Sequence, residues 1–345
     1  MAAIKTNRLN PVFRGRAFFG LFLLLGILLL LIAAAASISF GAARMDISIA
    51  WTAVFSFNPD IPEHQIIQAL RFPRTVADII VGISLSVAGA IMQGTTRNPL
   101  ADSGLMGVNS GAAFAMVLVL AFIPGISYMD KLLVCFAGAG LGAVMTYLVA
   151  SLNKRGMTPQ RLVLAGMSIT MLFGAMGTFV SIRFNVGQAL SYWTAGSVAG
   201  ATWSELALIA PWFVGGMILA FVLSPSIAIL SLGEDIAVGF GQRITQIKLL
   251  STLAVLILSG LSVVLVGPIA FVGLIVPHLM RLIVGVDYRY IIPASAVYGG
   301  IFMLAADLTG RLVNRPNEVA LGIVFAMLGV PLFLFISSRV RSDLE

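Results

Sequence analysis

The sequence predicts an all-α membrane protein of about ten transmembrane helices, with both termini on the cytoplasmic side. Three observations carry that expectation. The first is composition: 59% of the 345 residues are apolar and only 10% are charged. Soluble domains run near a quarter charged, so this chain has too few charges to cover a water-facing surface. Mean hydropathy is +1.03, in keeping with this. The second is the length of the apolar runs, many of which approach the roughly 20 residues a spanning helix needs. The third is the placement of Lys and Arg in the short segments between runs. The whole chain, 1–345, reads as one transmembrane domain.

Apolar runs fall at about 17–40, 75–95, 104–124, 131–151, 161–183, 204–224, 246–266, 268–285, 291–309 and 317–338. The first follows Lys5, Arg8, Arg14 and Arg16 and ends in Ala33 to Ala36, as a signal peptide does. Its length exceeds a signal core, so it is expected to stay as a span. Span two places Gly82, Ser86, Ala90 and Gly94 every fourth residue, and span four places Gly138 and Gly142 likewise. Such stripes let helix backbones touch, which supplies the attraction that lipid does not. Intramolecular packing is the expected use. Spans seven and eight are parted only by Gly267-Pro268, so nine spans would also fit.

The connections differ in length. Outer loop 41–74 holds a turn, Asn58-Pro59-Asp60-Ile61-Pro62, and then a short helical segment from Glu63 to Leu70. Outer loop 184–203, with Tyr192, Trp193 and Trp203, reads as a partly inserted hairpin or short helix. Pro225 is expected to break span six. A helical stretch from Ser226 to about Gln242 follows, too charged to span and too apolar for a free linker. A helix lying on the cytoplasmic face and receiving another protein fits it best.

Orientation follows from charge. With cytoplasmic termini, the inner segments hold 14 Lys and Arg: four in the N-terminal tail, then Arg97, Lys154, Arg155, Arg161, Arg243, Lys248, Arg281, Arg289, Arg339 and Arg341. The outer segments hold the other seven. Cytoplasmic loops carry the Lys and Arg excess. The net charge of +7 is thus a topology signal rather than a nucleic-acid footprint.

Catalytic chemistry is sparse. Cys135 is the single cysteine, which excludes an intrachain disulfide. The two histidines, His64 and His278, have no neighbours at metal-ligand spacing, and a structural hydrogen bond is the expectation for His278. None of Lys5, Lys131, Lys154 and Lys248 follows a glycine, so the phosphate-cradling loop of ATPases is missing and any ATP is hydrolysed by another chain. Asp78 and Asp307 lie within apolar runs, where an ionisable group costs roughly 2.5–3.5 kcal/mol to insert. Proton or sodium coupling is one reading. Neutralisation at i,i+4 by Arg74 and Arg311 is the favoured one, which leaves Arg71 as the freest of the outer arginines. Span five aligns Met167, Met171, Gly174, Thr178 and Ser181 on one face, either a packing face or a soft lining for a bulky solute.

Several blocks closely resemble the FecCD-type permeases, the membrane subunits of ABC importers for iron-siderophores, haem and cobalamin. They are Leu70-Arg71-Phe72-Pro73-Arg74-Thr75; Gln93-Gly94 with Arg97-Asn98-Pro99-Leu100-Ala101-Asp102; Leu105-Met106-Gly107-Val108 with Gly111-Ala112; Tyr192-Trp193 with Gly196; and Leu232 to Gly241. Gly267 to Arg281 is the strongest, and Ala306-Asp307, Arg311, Glu318, Gly322 and Leu328-Gly329-Val330-Pro331 complete the order. The resemblance implies an ABC importer permease of the cobalamin-permease type in the bacterial cytoplasmic membrane, working beside a second permease, identical or paralogous. It implies ABC ATPase subunits below, which hold the ATP and magnesium, and an extracytoplasmic solute-binding protein above. Arg71, Arg74 and Arg311 match the positions that meet acidic residues of the binding protein. Segment 228–243, with Leu232, Gly233, Glu234, Asp235, Ala237, Gly239 and Gly241, matches the element seated on the ATPase. Met167, Met171, Gly174, Thr178, Ser181, Gly329 and Pro331 would line the path between two permeases. The resemblance implies no catalytic residue, bound metal or cofactor in this chain. An iron(III)-siderophore is the expected cargo, with haem or cobalamin as alternatives. An ion-coupled secondary transporter using Asp78 or Asp307 is the competing class, and a membrane enzyme lacks a catalytic cluster.

Overall fold

The structure, a computed structural model, describes residues 16–41, 46–102, 104, 107–152 and 159–342. Lys5, Arg8, Arg14, Leu105, Met106, Lys154 and Arg155, used above, lie outside them. In chain order the helices are α1 (Arg16–Ser39), α2 (Ile47–Phe55), α3 (Pro62–Ile66), α4 (Phe72–Thr96), α5 (Val108–Phe122), α6 (Tyr128–Ser151) and α7 (Pro159–Arg183). They continue as α8 (Gly187–Ala195), α9 (Trp203–Leu230), α10 (Glu234–Gly239), α11 (Ile244–Val266), α12 (Val272–Val284), α13 (Tyr288–Val313) and α14 (Leu321–Ser342). Each predicted apolar run contains one helix, and the Gly267-Pro268 break does separate α11 from α12.

Among the described residues, seven helices are long and apolar enough to cross a membrane, while α5, α12 and the apolar part of α14 are shorter. The glycine contacts show why two of them are short. Gly273 at the start of α12 lies against Gly89, well along α4, and Gly107 at the start of α5 lies against Gly142 of α6. Both helices therefore begin inside the bundle rather than at its face. Left-handed backbone at Phe271 (φ 74°) and Gly107 (φ 73°) turns the chain into each of them.

α4 is the central element: 78% of an 18-residue apolar stretch within Pro62–Thr96 is buried, against 11% of the corresponding stretch in α1. It packs most extensively on α13 and also on α9, α11 and α12. The predicted stripe makes those contacts. A Cβ on Gly82 would collide with the Gly299 carbonyl, and one on Gly94 with Ile227. Gly138 and Gly142 meet Gly111 and Gly107 in the same way. Both stripes are intramolecular.

Three local expectations need correction. The helical segment 63–70 is continuous with span two through a π-helical turn at Ile67–Arg71, and α2 precedes it unforeseen. His64 ties this outer unit together. Its Nδ1 accepts from the Asn58 N–H at 3.1 Å, so Nε2 carries the proton and donates to Thr52 Oγ1 at 3.1 Å. Pro225 does not end span six, because α9 runs through it to Leu230. Proline removes the hydrogen bond to the carbonyl four residues back, here Phe221, and the Ser224 hydroxyl donates to that carbonyl at 2.9 Å. The helix expected over 226–242 is accordingly split: its first part belongs to α9, and only Glu234–Gly239 forms a separate helix.

Candidate functional site

One end of the bundle gathers the three arginines matched above. α1 ends here, and the last carbonyls of a helix lack partners within it. Arg71 Nη1 donates to the carbonyls of Ile38 and Ser39, both at 3.0 Å. Arg311 Nη1 donates to the Ser37 carbonyl at 3.0 Å, and its Nη2 to Ser37 Oγ at 2.6 Å. Two guanidiniums thus cap α1, where positive charge also suits the helix dipole.

Arg74 is bonded on two edges. Its Nε and Nη2 donate to Asp307 at 3.2 and 2.7 Å, and its Nη1 and Nη2 to Glu318 at 3.0 and 2.9 Å. Asp307 also receives Arg311 at 2.7 Å, the i,i+4 pair read from the sequence. The other expected pair does not form. Asp78 lies beside Asp307, and neither of its carboxylate oxygens meets a donor among the described residues. Arg74 points across to α13 and beyond it, because Asp307 and Glu318 offer it four oxygens in two flat pairs. Nor is Arg71 the freest arginine; it is only 7% exposed. A pocket of about 290 Å³ opens between these groups, lined by Arg71, Arg74, Arg311 and Glu318 together with Gly41, Ile66, Leu70 and Ala199. Glu318 belongs to this site, a role that the sequence alone does not assign to it. Its place opposite Arg74, 244 positions away, leaves no local signal.

The opposite end carries α10. Gly233 (φ 140°) and Gly241 (φ 75°) turn the chain before and after it, in conformations that favour glycine. Ala237 is buried against Leu230 and Ile247, so it anchors the helix rather than facing a partner. Leu232, Asp235, Ile236, Val238, Gly239 and Phe240 face outward. Glu234 is already engaged: it accepts from Lys248 Nζ at 2.8 Å, and Arg97 Nη2 lies 3.7 Å away. Ile236, Val238 and Phe240, which lay within the predicted segment without being singled out, are its exposed apolar groups, and Arg97 and Lys248, counted only as inner charges, reach Glu234.

A cavity of about 450 Å³ lies between α5, α7, α8 and the 267–271 turn. Gly174 and Thr178 line it, with Asp102, Asn109 and the Phe114–Phe173 stack, whose centroids are 5.3 Å apart. Met167 and Met171 are exposed on the outside of α7 and do not line it. Ser181 is buried, with its hydroxyl against Gly187, so the predicted stripe ends before it. Gly329 packs on the Phe271 ring, and Pro331 is exposed. The expected hydrogen bond of His278 is missing at Nδ1, which has no partner among the described residues.

The model of the FecCD transport family matches residues 28–339. This chain belongs to the FecCD transport family. It is 47% identical over 322 residues to the iron(3+)-hydroxamate import system permease protein FhuB of Bacillus subtilis, covering 93% of this chain and 84% of that one. It is 36% identical to the ferric enterobactin transport system permease protein FepD of Escherichia coli, covering 91% and 93%. Among solved structures, it resembles an inward-facing metal-chelate type ABC transporter with TM-score 0.79 and 26% identity, over 93% of this chain and 99% of that one. The FecCD chain is thus an all-helical, multi-pass protein of the bacterial cytoplasmic membrane, in a family of transport permeases.

Proposed function

We propose that this FecCD chain is the permease of a binding-protein-dependent ABC importer that carries an iron(III)-siderophore into the cell. The observation that carries the reading is the pairing of two unlike ends. On and beside α10, Leu232, Val238 and Phe240 are exposed, while buried Ala237 anchors the helix on Leu230 and Ile247, a seat suited to an ATPase subunit. The other end offers an arginine-lined pocket suited to acidic side chains of an extracytoplasmic binding protein. Charge complementarity of this kind steers encounter and sets register. In this reading the termini and α10 are cytoplasmic. A second permease packs along the exposed faces of α7 and α14, where Met171 and Met327 are uncovered. The chelate passes whole, so the permease supplies no metal ligand and binds no cofactor; ATP and magnesium stay on the ATPase subunits. The cargo assignment leans on the iron(3+)-hydroxamate relative at 47% identity.

Uptake of a radio-iron hydroxamate chelate by vesicles holding permease, ATPase and binding protein tests this. Uptake should follow internal ATP and survive a protonophore, and unlabelled haem or cobalamin should not compete. Loss of uptake on adding the protonophore at constant ATP would overturn the importer assignment in favour of ion coupling. Competition by cobalamin would overturn the cargo.

A further inference from the structure

We propose that Glu318 is an internal stand-in for the partner's carboxylate: it occupies the outward edge of Arg74, and an acidic side chain of the docking protein displaces it. This deepens the docking role proposed above and rests on it. A guanidinium presents two edges on which a carboxylate can bond in parallel. On Arg74 the edge formed by Nε and Nη2 faces Asp307, which is 1% exposed, while the edge formed by Nη1 and Nη2 faces Glu318, which is 34% exposed. The two carboxylates therefore differ in how easily they leave. Separating the buried pair strands charges away from water, whereas a partly exposed pair is worth little net and its members are readily rehydrated. Among the described residues, Glu318 is also the only carboxylate lining the pocket, whose other charged walls are Arg71, Arg74 and Arg311. A carboxylate arriving from outside finds the same two donors that Glu318 uses, so the exchange conserves hydrogen bonds.

The segment carrying Glu318 gives the exchange a consequence. Its neighbour Val319 donates its N–H to the Gly310 carbonyl of α13 at 3.0 Å, and Leu321, the first residue of α14, donates to the Gly196 carbonyl after α8 at 3.2 Å. Gly322 lies against the Ala195 carbonyl. Release of Glu318 thus loosens a strap joining α13, α8 and the start of α14, next to the helix that borders the larger cavity. Docking reports to the path through this strap.

The test uses the assembled importer in nanodiscs, without nucleotide, and measures the Kd of its own binding protein at several salt concentrations. Glu318→Gln should tighten binding by up to about fivefold, the scale of a partly exposed ion pair, and steepen the salt dependence. It should also raise ATPase turnover at subsaturating binding protein. Unchanged or weaker binding by Glu318→Gln overturns the stand-in role. Arg74→Gln on the Glu318→Gln background separates this from the docking role itself: lost affinity, with ATPase subunits still copurifying, supports the pocket as the docking site. Affinity equal to that of Glu318→Gln alone would overturn docking at this pocket, and the stand-in with it.

Discussion

Asp307 is the carboxylate shared by two guanidiniums: it pairs with Arg311, and with Arg74, which also meets the more exposed Glu318. Removing one partner of a buried pair leaves an uncompensated charge, at a cost of about 3–5 kcal/mol. Asp307→Ala is therefore expected to lower the thermal unfolding midpoint of the purified permease sharply, as followed by tryptophan fluorescence. Arg74→Lys should not substitute for arginine, because an ammonium cannot serve two flat carboxylate pairs at once. Asp78 behaves oppositely. It makes no ion pair among the described residues, and an amide of its shape can donate to Asp307 beside it. Asp78→Asn should fold and import normally; loss of uptake with folding intact would revive the ion-coupled reading. The residue types at this end were legible from the sequence, but their pairing was not. Spacing of four predicted Arg74 with Asp78, while tertiary packing brought Asp307 and Glu318 to Arg74 from more than two hundred positions away.

At the scale of elements, glycine contacts divide sharply by consequence. Gly82 and Gly89 press against the backbone of Gly299 and Gly273, so no side chain can yield to a new one. Overpacking there should cost about 1–3 kcal/mol or more. Gly82→Val and Gly89→Val are expected to lower folded yield on size-exclusion chromatography, whereas Gly215→Ala, which meets nothing within 4 Å, should leave yield unchanged or raise it. Gly241 is a different case. Its surroundings are open, but its φ of 75° costs other residues roughly 1–2 kcal/mol. Gly241→Val should keep the bundle folded and abolish copurification of the ATPase with the permease, by misdirecting α10. The stripe of small residues in α4 was readable as packing from its four-residue period. The course of α9 through Pro225 was not, because the rescue comes from a hydroxyl bond that proline statistics do not contain.

For the whole molecule, the two candidate sites are joined by one continuous helical stretch, Pro62–Thr96, with Arg71 and Arg74 about a third of the way along it and Arg97 just after its end. In the proposed reading, the chain is a gate worked by its ATPase and binding-protein partners. Reconstituted alone in liposomes it should accumulate no radio-iron chelate against a gradient, and adding ATP inside without the ATPase subunits should change nothing. Accumulation by the lone chain would defeat the account. By itself the sequence determined the membrane class, the helical runs, the existence of the small-residue stripes and the family. Each of these depends on composition, on periodicity within one helix, or on local motifs read in order. Only the tertiary structure decided that α5 and α12 start within the bundle, that Arg71 and Arg311 cap α1, and that Glu318 sits on Arg74. Those outcomes depend on which distant backbones approach closely enough to touch, and hydropathy within a single segment does not contain that information.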